Sequence, residues 1–253
     1  MNPLRRLRRG AARLVAGFRR LAVFSQVLLG LAVVAVLIGG TVVFGAASAP
    51  PPSNVDDIDV VRAGPSQGAN IAAYLASTRQ SLAALSGTEP VLALVSFRDY
   101  QTASSAASVL SGTTVKLAFA RVPLPGVQTR LSSFPVTHAG TDLAAGMARL
   151  ATERSTESTQ LRQSAATDPA GRTQDLIGAD IARREATAYR SGCGCLYAAV
   201  ISGAPAALRT FASRSAVRAV DPTPQITDPY SAVFTPLLPE QLTTVAPPPD
   251  TAG

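Results

Sequence analysis

No charged side chain falls between Arg20 and Asp56, and Leu21–Phe44, most of that gap, is almost wholly apolar. As a helix those 24 residues would reach about 36 Å, enough to cross a hydrocarbon core about 30 Å thick. In lipid the backbone must satisfy itself, so the pattern predicts one transmembrane helix over residues 21–45. The run is longer than the roughly 7–15 apolar residues of a cleaved export signal. Ala47-Ser48-Ala49 fits a small-x-small cleavage pattern, but Pro50 would stand just after the cut, so the span is expected to remain as an anchor. A linker over 46–57 follows, where Pro50, Pro51 and Pro52 favour an extended chain.

Beyond the linker the pattern changes to short elements, and a folded unit is expected over 58–222. Val91–Phe97 is a continuous apolar run, Thr102–Leu110 is helical, Gly112 stops it, and Val115–Val122 is a second strand. Leu196–Ser202, Ala206–Ala212 behind Pro205, and Val217–Val220 repeat the strand–helix–strand order. Two such halves in one sheet give an α+β fold, a ferredoxin-like βαββαβ domain with both helices on one face. Ile71, Tyr74, Leu75, Leu82 and Leu85 mark a helix over Gln67–Leu85, with Ser66 as its N-cap. Leu143, Met147, Leu150 and Leu161 mark another, interrupted by Arg154 and Glu157. Asp168-Pro169 breaks it, and Leu176, Ile177 and Ile181 begin the next, so Asp142–Arg190 reads as a helical hairpin inserted between the halves. From Pro222 onward there are eight prolines in 32 residues, and 223–253 is expected to be an extended or disordered tail that joins no sheet.

Charge changes the picture at one end only. Seven of the 23 basic residues (Arg5, Arg6, Arg8, Arg9, Arg13, Arg19 and Arg20) lie in the first twenty positions, without an acid among them. The rest of the chain balances 16 acids. A neutral body is a poor match for a phosphate backbone, so no nucleic-acid partner is expected. The positive-inside rule places the N-terminus in the cytoplasm and the folded domain outside the cell (plasma) membrane. Leu4, Leu7, Ala11, Leu14 and Phe18 recur at helical spacing among the arginines, which suits either an amphipathic helix on the anionic lipid bilayer or a basic tail that sets topology. Ala35 and Gly39 form a small-xxx-small pair compatible with a homodimer.

Candidate chemistry is sparse. Gly64-Pro65-Ser66-Gln67-Gly68 matches the G-x-S-x-G of a nucleophile elbow, with Asp99 and His138 following in hydrolase order. Pro65 restricts the sharp turn such a serine needs, and the motif precedes nearly all of the domain, so a plain turn is the reading it favours. His138 is the single histidine and has no partner for a metal site; no cofactor or metal is expected. Glu153, Glu157, Asp175, Asp180 and Glu185 lie among arginines on the hairpin, as on a solvated face, with Asp180 and Arg184 spaced for an i, i+4 pair. Gly192-Cys193-Gly194-Cys195 holds both cysteines. Outside the membrane thiols pair, and Gly194 permits a turn that closes a local Cys193–Cys195 disulfide; two free thiols or an intermolecular bridge remain open. Closed in so small a ring, the bond is more reducible than a structural disulfide, the basis for a thiol-redox role.

Ala206–Pro222, AALRTFASRSAVRAVDP, resembles the last helix and strand of the inhibitory proregions of subtilisin-like proteases. Those proregions are ferredoxin-like, which agrees with the two-half pattern; no functional residue is carried over. With 22 Arg against one Lys and abundant Ala, the chain also resembles uncharacterised single-pass membrane proteins of high-GC actinobacteria. The sequence therefore leads to a bitopic membrane protein whose outer domain binds or scaffolds another envelope protein without catalysis. The alternatives are an envelope thiol-redox protein using Cys193 and Cys195 and, far behind, a serine hydrolase.

Overall fold

The computed structural model describes residues 61–248 and Asp250. The chain divides into a unit of residues 1–58 and a unit of residues 59–253, and the described residues belong to the second. The basic segment, the expected span and the proline linker lie outside the described residues. Among the described residues no helix is long and apolar enough to cross a membrane.

The unit is α+β. Its elements are β1 (Arg62–Ala63), α1 (Ile71–Ala84), β2 (Val91–Gln101), α2 (Ala103–Val109), β3 (Thr114–Ala120) and β4 (Ser132–Pro135), then α3 (Ala139–Thr167), α4 (Arg172–Arg190), β5 (Leu196–Gly203), α5 (Pro205–Ala212), β6 (Val217–Pro222) and β7 (Val233–Phe234). Five strands form one sheet in the order β4-β3-β5-β2-β6, every neighbouring pair antiparallel. The central strands are buried on both faces. Ala93, Val95 and Phe97 of β2 join Leu110, Leu143 and Leu208 in a helix-side core, while Leu92 and Leu94 point the other way, toward Ile226 and Leu238. Double-sided burial is why these strands read as continuous apolar runs instead of alternating ones.

The cover on the second face is the C-terminal segment, and here the sequence expectation needs correction. Residues 223–248 are extended, but they belong to the folded unit and do join a sheet. β7 pairs in parallel with β1, matching Arg62 to Val233 and Ala63 to Phe234, and Thr244 bridges Asn70. The prolines keep this strap out of the five-stranded ladder, so it covers the face with side chains: Leu237 is fully buried and its N–H donates to Ser96 Oγ at 3.1 Å. The domain therefore does not end at residue 222.

Other boundaries move for local reasons. Helix α1 starts at Ile71, four residues after the expected start, because the turn from Ser66 to Ala69 takes Gly68 to φ 81° and leaves Asn70 as the N-cap, its side chain accepting from Ala73 N–H at 3.0 Å. Strand β4 has no counterpart in the sequence reading: it is a four-residue edge, half polar, and it docks because Gly146 of α3 leaves room for the Phe134 ring, where a Cβ would lie 2.2 Å from it.

The hairpin of α3 and α4 turns at Asp168-Pro169, yet its acids are not all solvated. Glu185 is completely buried and accepts from Arg154 Nε at 2.8 Å and from the Arg130 backbone N–H at 3.0 Å. Arg154 and Glu157, expected to interrupt the seam, instead pair with each other at its centre. On the outer surface Asp180 pairs with Arg183, not Arg184. Leu176 is 49 % exposed, and the helices meet through Ala179, Ala182 and Ala186, where small residues allow close approach.

Asp221 of β6 ties the N-terminal turn to the sheet. Its Oδ2 accepts from Tyr74 OH at 2.9 Å and from Gly64 N–H at 3.2 Å. Burial raises this carboxyl's pKa, and the two hydrogen bonds offset only part of that rise. A carboxyl that holds its proton more tightly when folded contributes stability that is complete below the unfolded pKa of about 3.9 and is lost as pH rises through the native value. The variant Asp221→Asn keeps an oxygen for both donors and carries no charge. It is expected to melt near the wild type at pH 3.5 and above it at pH 7.5; a lower melting temperature at pH 7.5 would show that the charged form is the one the fold favours.

Candidate ligand pocket beneath the C-terminal strap

Alternation along β3 and β5 aims Phe119 and Tyr197 at the strap side of the sheet. Their ring centroids lie 6.3 Å apart, Phe234 of the strap follows 6.4 Å from Phe119, and Tyr100 of β2 stands 6.2 Å from Tyr197 edge-to-face. Between this aromatic row and the strap is a cavity of about 530 Å³, rimmed by Leu131, Leu238 and Pro247. Its volume falls in the range of about 300–1,000 Å³ typical of small-molecule sites. Among the described residues that line it, Arg121 alone is charged.

Arg121 follows the last residue of β3 and is 3 % exposed. Its Nη1 donates to Glu240 on the strap and to Tyr100 OH at 2.7 Å, and its Nη2 donates to Val127 O at 3.3 Å. Tyr100 OH in turn donates to Glu240 Oε2 at 3.0 Å. Burial raises the Tyr100 pKa, and the Arg121 hydrogen bond and charge pull it back. Glu240 rides on a turn closed by Gln241 N–H to Leu238 O at 3.1 Å. Arg218 of β6 clamps that turn, donating to Leu238 O at 3.0 Å and also to Gln241 O. The strap thus both roofs the cavity and neutralises its one buried cation.

The cysteines sit at the same end of the sheet. Cys193 and Cys195 are joined by a disulfide, with Cα atoms 5.3 Å apart. Gly192, at φ 73°, ends α4 in the left-handed region, and Gly194 approaches Tyr100 O so closely that a Cβ would lie 3.1 Å from it. Cys195 N–H donates to Gln101 O at 3.0 Å and its carbonyl accepts from Arg121 N–H at 2.8 Å. Cys195 is fully buried and Cys193 half-buried, and the backbone of Cys195 joins the ends of β2 and β3 that carry Tyr100 and Arg121.

Ser66, Asp99 and His138 are not brought together. Asp99 is at the Gln101 end of the sheet, while His138 follows β4 past the residue opposite Leu117, toward the Thr114 end. Ser66 lies in the exposed turn before α1, and no hydrogen bond joins any two of the three among the described residues. The Asp221 carboxylate meets Gly64 of the motif, but as a brace for its backbone. Among the described residues no cluster of His, Cys, Asp and Glu could hold a metal ion. The seven N-terminal arginines lie outside the described residues.

The pocket residues Phe119, Arg121, Tyr197, Phe234 and Glu240 escaped sequence reasoning. Two traces of them were present: Arg121 is a charge set directly behind the apolar Leu117–Ala120, and Glu240 is the one acid between Asp228 and Asp250. No protein-family model, curated protein or solved structure matches this chain.

Proposed function

We propose that the chain is a membrane-anchored binding module of the cell envelope, with its N-terminus in the cytoplasm, one transmembrane helix, and an outer domain that engages its ligand or partner protein through the strap-covered face of the sheet. The observation that carries the binding role is the roughly 530 Å³ aromatic cavity with a single buried charge at its wall. The domain is read as ferredoxin-like. The order β3-β5-β2-β6, antiparallel throughout and built from two strand–helix–strand units, supports that reading, with β4 and the hairpin as insertions between the halves. The anchor rests on the uncharged Leu21–Phe44 run behind seven arginines.

Two experiments test this. Thr156 is exposed on α3, and among the described residues there are no free cysteines. In intact cells the variant Thr156→Cys is expected to react with a membrane-impermeant maleimide; labelling only after permeabilisation contradicts the outward orientation. A crosslinking pull-down from native membranes is expected to recover a product that Leu131→Glu, at the cavity rim, abolishes. Recovery unchanged by that charge moves the interaction away from the pocket.

A thiol–disulfide role is the second reading, favoured by the half-buried Cys193 of the Cys193–Cys195 bond. In such an exchange two thiols of a partner protein are oxidised to its disulfide while Cys193 and Cys195 are reduced to thiols.

A further inference from the structure

Two buried side chains of the cavity wall, Arg121 and Tyr197, keep uncommitted donors. Tyr197 is 2 % exposed and lines the cavity, and its hydroxyl has no hydrogen-bond partner among the described residues. Arg121, also lining it, spends three N–H groups on Glu240, Tyr100 and Val127, and its Nε–H and one Nη2–H meet no acceptor among the described residues. These donors are open to the cavity, and a ligand oxygen is a natural acceptor for them. The rest of the wall is mixed: Phe119, Phe234, Leu238 and Pro247 give it an apolar side, and Gln67, Gln128, Ser132, Ser133 and Gln241 a polar rim.

The charge balance narrows the ligand further. Glu240 already neutralises Arg121 from the side away from the cavity, where Tyr100, Glu240 and Arg121 face a separate cavity of about 460 Å³. A carboxylate entering the 530 Å³ cavity would put two anions on one buried cation, whereas an uncharged oxygen would not. We propose that this cavity binds an uncharged acyl compound, an apolar body bearing one ester or amide carbonyl, whose oxygen accepts hydrogen bonds from Arg121 and Tyr197. Glu240 is then a specificity residue that acts through Arg121: it sets the charge of the site without touching the ligand.

This inference deepens the reading of the covered face as a binding site and rests on it. Its test uses the full chain in lipid nanodiscs, titrated calorimetrically with octanamide and with octanoate, each corrected against empty nanodiscs. Wild type is expected to bind octanamide at least tenfold more tightly than octanoate. Glu240→Gln, a substitution on an exposed turn, is expected to reverse that order by leaving the arginine's charge unbalanced. Tyr197→Phe removes a hydroxyl with no protein partner, so it should leave the melting temperature unchanged or raised while weakening octanamide about tenfold. Equal binding of the two probes to wild type, an order that Glu240→Gln leaves in place, or no binding of either probe overturns the acyl assignment. In any of those cases, continued loss of the membrane crosslink in Leu131→Glu would leave the broader binding role standing.

Discussion

Replacing Glu185 with alanine is expected to destabilise the domain by about 3–5 kcal/mol, the cost of leaving a buried charge without its partner. Glu185 is fully buried and holds Arg154 through Nε at 2.8 Å and Nη2 at 2.5 Å, while its other oxygen accepts the Arg130 backbone N–H. The substitution strands a guanidinium only 7 % exposed, with Glu157 as its remaining carboxylate, and unpairs a backbone donor as well. Truncating both partners to apolar residues of similar size, Arg154→Met with Glu185→Leu, is expected to recover most of the loss, because a buried ion pair is often no better than good packing. Urea unfolding of Glu185→Ala and of the double variant reads this directly. A single-variant loss under about 1 kcal/mol would mean that water reaches Arg154 and the pair is not a determinant of the hairpin's seating.

The second large effect lies where the sequence suggested none. Leu237→Ala is expected to cost about 2–5 kcal/mol, as for other fully buried leucines truncated in a close-packed core. Leu237 is buried completely, and its neighbour Leu238 packs with Leu92, Leu94 and Ile226 on the face that the strap covers. Leu242, in the same segment, is 76 % exposed, and Leu242→Ala should change stability by less than about 0.5 kcal/mol. If both substitutions are silent in thermal melts, the strap contributes no core and the sheet stands without it.

That contrast shows what the sequence made legible. Apart from β4, strand and helix order from Val91 to Val220 followed from periodicity, Gly112 and the Asp168-Pro169 break, because each is a local signal. The strap was hidden because proline content reports only that a segment cannot take part in a regular ladder, and not whether its side chains find a surface. A clue was nonetheless present: Val91–Phe97 and Leu196–Ser202 are apolar at every position, or nearly so, and such runs need cover on both faces, while the helices supply only one. Glu185 misled for the opposite reason. A carboxylate among arginines has the same sequence signature on a solvated face and in a buried pair, and only the seam between α3 and α4 distinguishes them. The pocket was illegible because its members, Phe119, Arg121, Tyr197, Phe234 and Glu240, are separated by up to 121 residues and share no spacing.

The disulfide and the pocket meet at Cys195, whose backbone bonds to both Gln101 and Arg121. Fixing Cys195 positions the end of β3 and with it the one cation of the cavity wall. The pocket wall and the cysteine pair therefore share neighbouring backbone.

The central claim is that the strap-covered face is where this protein meets its ligand or partner. A photoreactive phenylalanine analogue placed at Leu131, 59 % exposed on the cavity rim, tests it against the same residue at Leu176, 49 % exposed on α4. Irradiation of intact cells, followed by mass spectrometry of the recovered chain, is expected to give a discrete adduct from position 131 and none from position 176. Adducts from position 176 alone would place the binding surface on the helical hairpin and contradict the account.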